Sequence, residues 1–90
     1  MEIKFIRAIQ FTRLVKAGGR LREFNFRKLN SADAERFSIN VVDDRGERIS
    51  FQMVKEENGW KLPAQSLPVW IEQSEKQLHQ LIEEEMPDNR

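Results

Sequence analysis

The sequence contains no cysteine, no tyrosine and only one histidine among its 90 residues. Without cysteine the chain has no disulfide, thiolate metal ligand or cysteine nucleophile, which suits a reducing cytoplasm. Charged residues interrupt the N-terminal segment MEIKFIRAIQF at Glu2, Lys4 and Arg7, so it lacks the apolar region of a signal peptide. No apolar run is long enough to span a membrane. We therefore expect a cytoplasmic protein without a membrane partner.

Catalytic motifs are also missing from the sequence. It has no phosphate-binding loop, no dinucleotide fingerprint and no nucleophile with a neighbouring base. Two acidic pairs, Asp43-Asp44 and Glu56-Glu57, lie where hairpin turns are expected, and acidic residues there serve solvation and turn formation. We therefore expect a protein that is not an enzyme, with no catalytic residues and no cofactor.

The single histidine belongs to a charged run near the C-terminus. Glu75, His79 and Glu83 are spaced four residues apart, so a helix would bring them to one side, where they could meet a metal ion. The same spacing arises on any charged helix face, and a site needs further ligands from elsewhere. We expect no metal site here.

Four glycines mark three predicted turns. Gly18-Gly19 predicts a two-residue hairpin turn, and Asn58-Gly59 predicts another of type I′. Gly46 closes a three-residue loop over 44–46 with a bulge. A four-residue loop at 43–46 is rejected because it would set Ile39 against Ser50.

These turns predict the strand registers. Five cross-strand pairs follow from the first two turns: Phe11–Phe26, Arg13–Phe24, Val41–Ile49, Ile39–Phe51 and Phe37–Met53. One face of the sheet then collects the apolar side chains of Ile9, Phe11, Val15, Phe24, Phe26, Phe37, Ile39, Val41, Ile49, Phe51, Met53, Trp60 and Leu62. The opposite face is rich in amides and hydroxyls, with scattered aliphatic residues that include Leu14 and Leu21.

The segment after Pro63 changes to helical periodicity. Ser66 is expected to cap a helix with Pro68 in its first turn. The apolar stripe of this helix contains Trp70, Ile71, Ser74, Leu78, Leu81 and Ile82, opposite a charged side with Glu72, Glu75, Lys76, His79 and Glu83.

The sequence as a whole predicts one α+β domain over residues 1–90. It is a five-stranded antiparallel meander with one C-terminal helix packed on one face. The expected elements are strands at about 3–16, 21–29, 36–43, 47–57 and 60–63, a helix at about 67–85 and a frayed tail at 86–90. A short N-terminal helix remains an alternative to strand at residues 1–8.

Charge is distributed unevenly along the chain, although its net charge is zero. Residues 1–29 hold eight basic and two acidic residues, whereas residues 30–90 hold seven basic and thirteen acidic ones. The first hairpin, KAGGRLREFNFRK, concentrates the basic side chains. Its candidate polyanion contacts are Lys16, Arg20, Arg22, Arg27 and Lys28.

Two interpretations of the basic hairpin remain open. It binds a nucleic acid or another polyanion, or it belongs to a basic 1–29 segment whose Arg or Lys side chains lie near the acidic helix end at Glu83, Glu84 and Glu85, in the same chain or in a dimer mate. The predicted core face takes the phenylalanines, so no aromatic platform is left for stacking bases.

The order of strands followed by a C-terminal helix resembles PUR-repeat and Whirly-type single-strand-binding domains over roughly residues 8–85. The resemblance is one of topology and implies nucleic-acid binding, but no motif residue carries over. From the residues we expect a small, non-catalytic cytoplasmic binding or assembly module with an unidentified protein partner or a second copy. The alternative is nucleic-acid (polyanion) binding through the basic first hairpin.

Overall fold

The computed structural model describes residues 9–29, 35–63 and 66–86. Its elements are β1 (Gln10–Ala17), β2 (Arg20–Leu29), β3 (Arg36–Val42), β4 (Arg48–Glu56), β5 (Gly59–Lys61), α1 (Val69–Glu72) and α2 (Glu75–Glu85). The five strands form one antiparallel sheet in sequence order. The predicted α+β meander with a C-terminal helical segment is therefore confirmed. The strand-or-helix question at residues 1–8 lies outside the described residues, as does most of the predicted tail.

The first two hairpins have the predicted registers. Phe11 lies opposite Phe26, and all three apolar pairs expected between β3 and β4 are present. Gly18 and Gly19 both have positive φ, 63° and 81°, as a type I′ turn requires. The loop over 44–46 is closed by the backbone N–H of Asp43, which donates to the carbonyl of Glu47 at 2.8 Å.

The third hairpin turns one residue earlier than predicted. Glu56 pairs with Gly59, so the turn consists of Glu57 and Asn58. Asn58 does not have the positive φ of a type I′ turn, since only glycines do so among the described residues. Moving a two-residue turn by one position changes the pairing by two, so Trp60 still lies on the core face.

The core lies between the sheet and the helical segment. Its buried side chains come from all five strands and both helices, and they include large aromatic residues of the predicted face. The buried apolar residues are Val15, Ala17, Phe24, Phe26, Phe37, Ile39, Val41, Phe51, Met53, Trp60, Ile71, Leu78 and Ile82. The remaining predicted core residues, Ile9, Phe11, Ile49 and Leu62, pack against this cluster while partly exposed.

The helical segment begins later than the sequence predicts. Pro68 has an extended ψ of 147° and is the N-cap, so Ser66 does not cap the helix. The carbonyl of Pro68 accepts the backbone N–H groups of Ile71 and Glu72 at 3.0 and 3.2 Å. A proline thus lies just before the first turn and supplies the first acceptor.

The single predicted helix is interrupted at Gln73 and Ser74. The hydroxyl of Ser74 donates to the carbonyl of Trp70 at 2.7 Å, while its N–H turns to Ile71 at 3.0 Å. A serine bonding back to the preceding turn competes with the helical ladder. Ser74 is nevertheless buried, as its place in the apolar stripe predicts.

Candidate binding surface

One face of the sheet is not covered by the helical segment, and we call it the open face. The registers define its members strand by strand. They are Gln10, Thr12, Leu14 and Lys16; Leu21, Glu23, Asn25, Arg27 and Leu29; Arg36, Ser38, Asn40 and Val42; Arg48, Ser50, Gln52, Val54 and Glu56; and Lys61. No aromatic residue is among these described positions. The prediction of a face without stacking rings is confirmed for this part of the chain.

A hydrogen-bonded ladder crosses the middle of the open face. The Thr12 hydroxyl donates to Oδ1 of Asn25 at 2.7 Å, and Nδ2 of Asn25 donates to Oδ1 of Asn40 at 3.0 Å. The guanidinium of Arg48 donates to the same Asn40 oxygen. The ladder links four strands: Thr12, Asn25 and Asn40 are successive register partners, and Arg48 reaches Asn40 diagonally from the position opposite Val42. It fixes the orientation of both amides.

The two arginines after the glycine turn bind an acidic residue of the second turn. Arg20 and Arg22 each donate to Oδ1 of Asp44, at 2.9 and 3.0 Å. The hydrogen bond from Arg22 holds the pKa of the Asp44 carboxyl below its usual value, and the charges of both arginines act in the same direction. Two candidate polyanion contacts therefore have a carboxylate partner within the chain.

Arg22 is itself part of the interior. Only 7% of its surface is exposed. Its Nε donates to the carbonyl of Ala17 at 2.7 Å, and its guanidinium carbon lies 4.1 Å from the centre of the Trp70 ring. The hairpin reaches α1 closely, because a Cβ on Gly18 would lie 3.1 Å from Cβ of Trp70. Arg22 thus joins the hairpin to the helical segment.

The other three candidate cations fall into two groups. Lys28 lies on the helix side of the sheet, 3.8 Å from a carboxylate oxygen of Glu35. Lys16 and Arg27 are exposed on the open face, and neither has a side-chain partner among residues 9–29, 35–63 and 66–86. The five candidates therefore do not form one surface.

The acidic end of α2 meets the basic N-terminal part of the chain. Arg13 donates to Oε1 of Glu84 at 3.2 Å and to Oε2 of Glu85 at 3.1 Å. The helix end therefore pairs with a basic residue of the 1–29 segment within one chain, as predicted, but that residue is Arg13. None of the five candidate cations of the hairpin contacts Glu83, Glu84 or Glu85 within the described residues. The pairing with Arg13 also explains why an arginine lies on the core side of β1.

Three residues of the charged side of α2, Glu75, His79 and Glu83, contact β5 and the residue that follows it. Glu75 accepts the backbone N–H of Leu62 at 2.7 Å, and Nδ1 of His79 accepts that of Trp60 at 2.9 Å. Glu83 accepts the indole N–H of Trp60 at 3.1 Å. These three side chains therefore act as acceptors for an edge strand.

A groove of about 450 Å³ lies beside these contacts, lined by residues of α2 and the last hairpin. Its histidine uses Nδ1 for Trp60, and its two flanking carboxylates accept hydrogen bonds from the indole of Trp60 and the backbone N–H of Leu62. No group of three potential metal ligands converges here or elsewhere in the described segments.

The acidic pair at the second turn has a structural role. Oδ1 of Asp43 accepts hydrogen bonds from the backbone N–H groups of Arg45 and Glu47 at 2.9 and 2.8 Å. Asp44 accepts the hydrogen bonds from Arg20 and Arg22. Sequence reasoning placed both residues at a turn but did not reveal Arg22 as their buried neighbour. Strand alternation was the available signal, because Arg22 lies two residues before Phe24 in β2 and so belongs to the same, core-facing side of the sheet.

In comparisons with known proteins the chain matches no family model, no curated protein and no solved structure. The likeness to PUR-repeat and Whirly-type domains thus stays a likeness of element order. None of the helices in the described ranges is long and apolar enough to cross a membrane.

Proposed function

We propose that this chain is a small, non-catalytic binding module of the cytoplasm whose open face recognises an acidic surface on a protein partner. The observation that carries the proposal is the polar ladder through Thr12, Asn25, Asn40 and Arg48. Its amides are held in fixed orientations before a partner arrives. Binding to such a surface loses less side-chain entropy than binding to mobile groups.

Charge supports an acidic partner. The open face carries five cations, Lys16, Arg27, Arg36, Arg48 and Lys61, against the two anions Glu23 and Glu56. The helical segment has the opposite balance, with five glutamates and one lysine. A positive face steers negatively charged partners toward itself and disfavours wrong ones.

Nucleic-acid binding is the second candidate, and it is favoured by Lys16 and Arg27, two exposed cations without a carboxylate partner in the described part of the chain. Its contacts would be to phosphates on the open face, because Arg20, Arg22 and Lys28 have carboxylate partners in the chain. Phosphate contacts give affinity that falls steeply with salt. The absence of aromatic rings from the described open face argues against stacking of unpaired bases.

Two defined probes separate these candidates. A fluorescent polyglutamate peptide and labelled single- and double-stranded oligonucleotides are titrated with the protein across a salt series, and amide shifts of the ¹⁵N-labelled protein locate the contact. We expect the peptide to move the amide signals of Asn25, Asn40 and Ser38. We also expect Arg27→Glu combined with Arg36→Glu to weaken its binding by roughly tenfold or more.

The matched control is Arg45→Glu, since Arg45 is an exposed arginine of the second turn whose side chain has no partner among the described residues. Oligonucleotide binding that is stronger than peptide binding, and is lost in the Arg27→Glu variant, would replace the proposal by the second candidate. Shifts confined to α2, or no binding of either probe at low salt, would overturn both.

A further inference from the structure

The two edge strands of the sheet, β5 and β1, differ in whether another segment binds their outward backbone groups. At β5 the backbone N–H groups of Trp60 and Leu62 point away from β4 and are accepted by His79 and Glu75. Side chains of α2 thus occupy the place of a sixth strand. Such covering is one way in which proteins prevent pairing at a sheet edge.

In residues 9–29, 35–63 and 66–86, no comparable cover lies over the β1 edge. Ala17 and Arg20 close a two-residue turn, so odd-numbered residues of β1 bond to β2 and even-numbered ones present their backbone groups outward. The bond from Lys28 N–H to Ile9 C=O, at 2.8 Å, fits this alternation. Within the described residues, no hydrogen bond from another segment reaches the outward backbone groups of Gln10, Thr12, Leu14 or Lys16.

The sequence of β1 also lacks the usual obstacles to strand pairing. Its eight residues contain no proline or glycine, and its register with β2 runs without a bulge from Gln10 to Ala17. One of its two charged side chains, Arg13, is neutralised on the helix side by Glu84 and Glu85. A long, regular edge of this kind is a template for another strand.

Two exposed leucines lie beside this edge. Leu14 and Leu21 are 65% and 66% exposed. Leu21 lies opposite Lys16, so the two leucines are diagonal neighbours on the open face. They form an apolar pair at the side of the sheet where β1 is unpaired.

We infer that β1 pairs antiparallel with β1 of a second copy about a two-fold axis at Leu14. This register sets Leu14 against the partner's Leu14 and Thr12 against the partner's Lys16, so the outward backbone groups of both strands are satisfied together. It brings Leu14 and Leu21 of both copies together in one cluster of four leucines. A register centred one residue earlier is disfavoured, because it would place Arg13 directly opposite the partner's Arg13. The product is a continuous ten-stranded sheet, and the pairing does not require the proposed acidic partner.

A single cysteine tests this pairing, because the natural chain has none. Directly opposed residues in an antiparallel pair have Cα atoms about 4.5–5.5 Å apart, within the range for a disulfide. We expect Leu14→Cys to form a covalent dimer under mild oxidation roughly tenfold faster than Ser50→Cys, an exposed position in the middle of the open face.

Light scattering after size-exclusion chromatography gives the second readout. We expect the mass of two chains for the natural protein and of one chain for Leu14→Lys, a change at an exposed site that circular dichroism will show to be folded. A natural protein that stays monomeric at high concentration would overturn the inference. So would equal crosslinking at positions 14 and 50, which would indicate face-to-face association, or a Leu14→Lys variant that remains a dimer.

Discussion

The imidazole of His79 accepts the backbone N–H of Trp60 at 2.9 Å through Nδ1. The donor belongs to a residue that is 1% exposed, and it lies on the outer side of the last strand. The helix is thereby tied to the sheet by a side chain–backbone bond as well as by apolar packing. This contact accounts for the only histidine in the chain.

Replacing His79 by leucine should destabilise the protein by about 1–3 kcal/mol, because the buried N–H of Trp60 loses its acceptor while the side-chain volume is largely kept. Urea unfolding followed by tryptophan fluorescence measures the change. Gln80→Leu is the matched control, since Gln80 is the exposed next residue of α2 and surface changes usually stay within about 0.5 kcal/mol. Equal effects at both positions would contradict the role of the bond.

Gly59→Ala should be costly, and the cost should depend on His79. A Cβ at position 59 would lie 2.5 Å from Cε1 of His79, and φ is 126°. We expect a destabilisation of more than about 1 kcal/mol in the natural protein, part of which disappears in the His79→Ala background. Gly46→Ala provides the control because φ is also positive there but no atom lies within 4 Å. Its cost should be the same in both backgrounds.

Asp44 should contribute to stability above its unfolded-state pKa and lose that contribution in acid. The hydrogen bond from Arg22 lowers the pKa of Asp44 in the folded protein. The stabilisation is therefore complete above about pH 4, the unfolded value, and disappears as the pH falls through the lower folded value. Urea unfolding of Asp44→Asn should show a deficit at neutral pH that vanishes in strong acid. Glu57→Gln, at an exposed turn position, should show no such pH-dependent deficit.

Arg22 and Arg20 share one carboxylate but should differ in importance. Arg22→Lys should cost about 1–3 kcal/mol, since lysine cannot both bond to Ala17 and stack on Trp70 as the planar guanidinium does. Arg20→Lys keeps an ion pair between side chains that are both more than 60% exposed, so a change below about 1 kcal/mol is expected. Thermal unfolding of the two variants compares them directly. A larger loss for Arg20→Lys would contradict the assignment.

The strand registers were predictable because they depend on local residues. Gly18-Gly19 and Gly46 fix two turns, and alternation then assigns Phe24, Phe26 and Phe37 to the core. The prediction of the third turn was wrong because Gly59 is needed for a close approach to His79, which lies twenty residues further along the chain. The position of Ser74 in the apolar stripe was predictable, but its bond to Trp70 and the resulting break were not.

The candidate binding surface was predictable in its members but not in its connections. Parity places Asn25 and Asn40 on one face, whereas their hydrogen bond depends on side-chain rotamers. The basic residues of the first hairpin are close together in the sequence, but strand alternation places their side chains on both sides of the sheet. The role of Arg22 was the hardest to predict, because a cation at a core position is explained only by its contacts with Asp44 and Trp70.

The covering of β5 by α2 limits how copies of this chain can associate through their strands. A sheet with two available edges can add copies head to tail without end and form a filament. Among the strands that the structure describes, only β1 has an uncovered edge, and the inferred pairing at β1 uses that edge in both copies. Strand-to-strand assembly therefore stops at two chains. His79 and Glu75, by closing the other edge, act as a barrier to fibre growth.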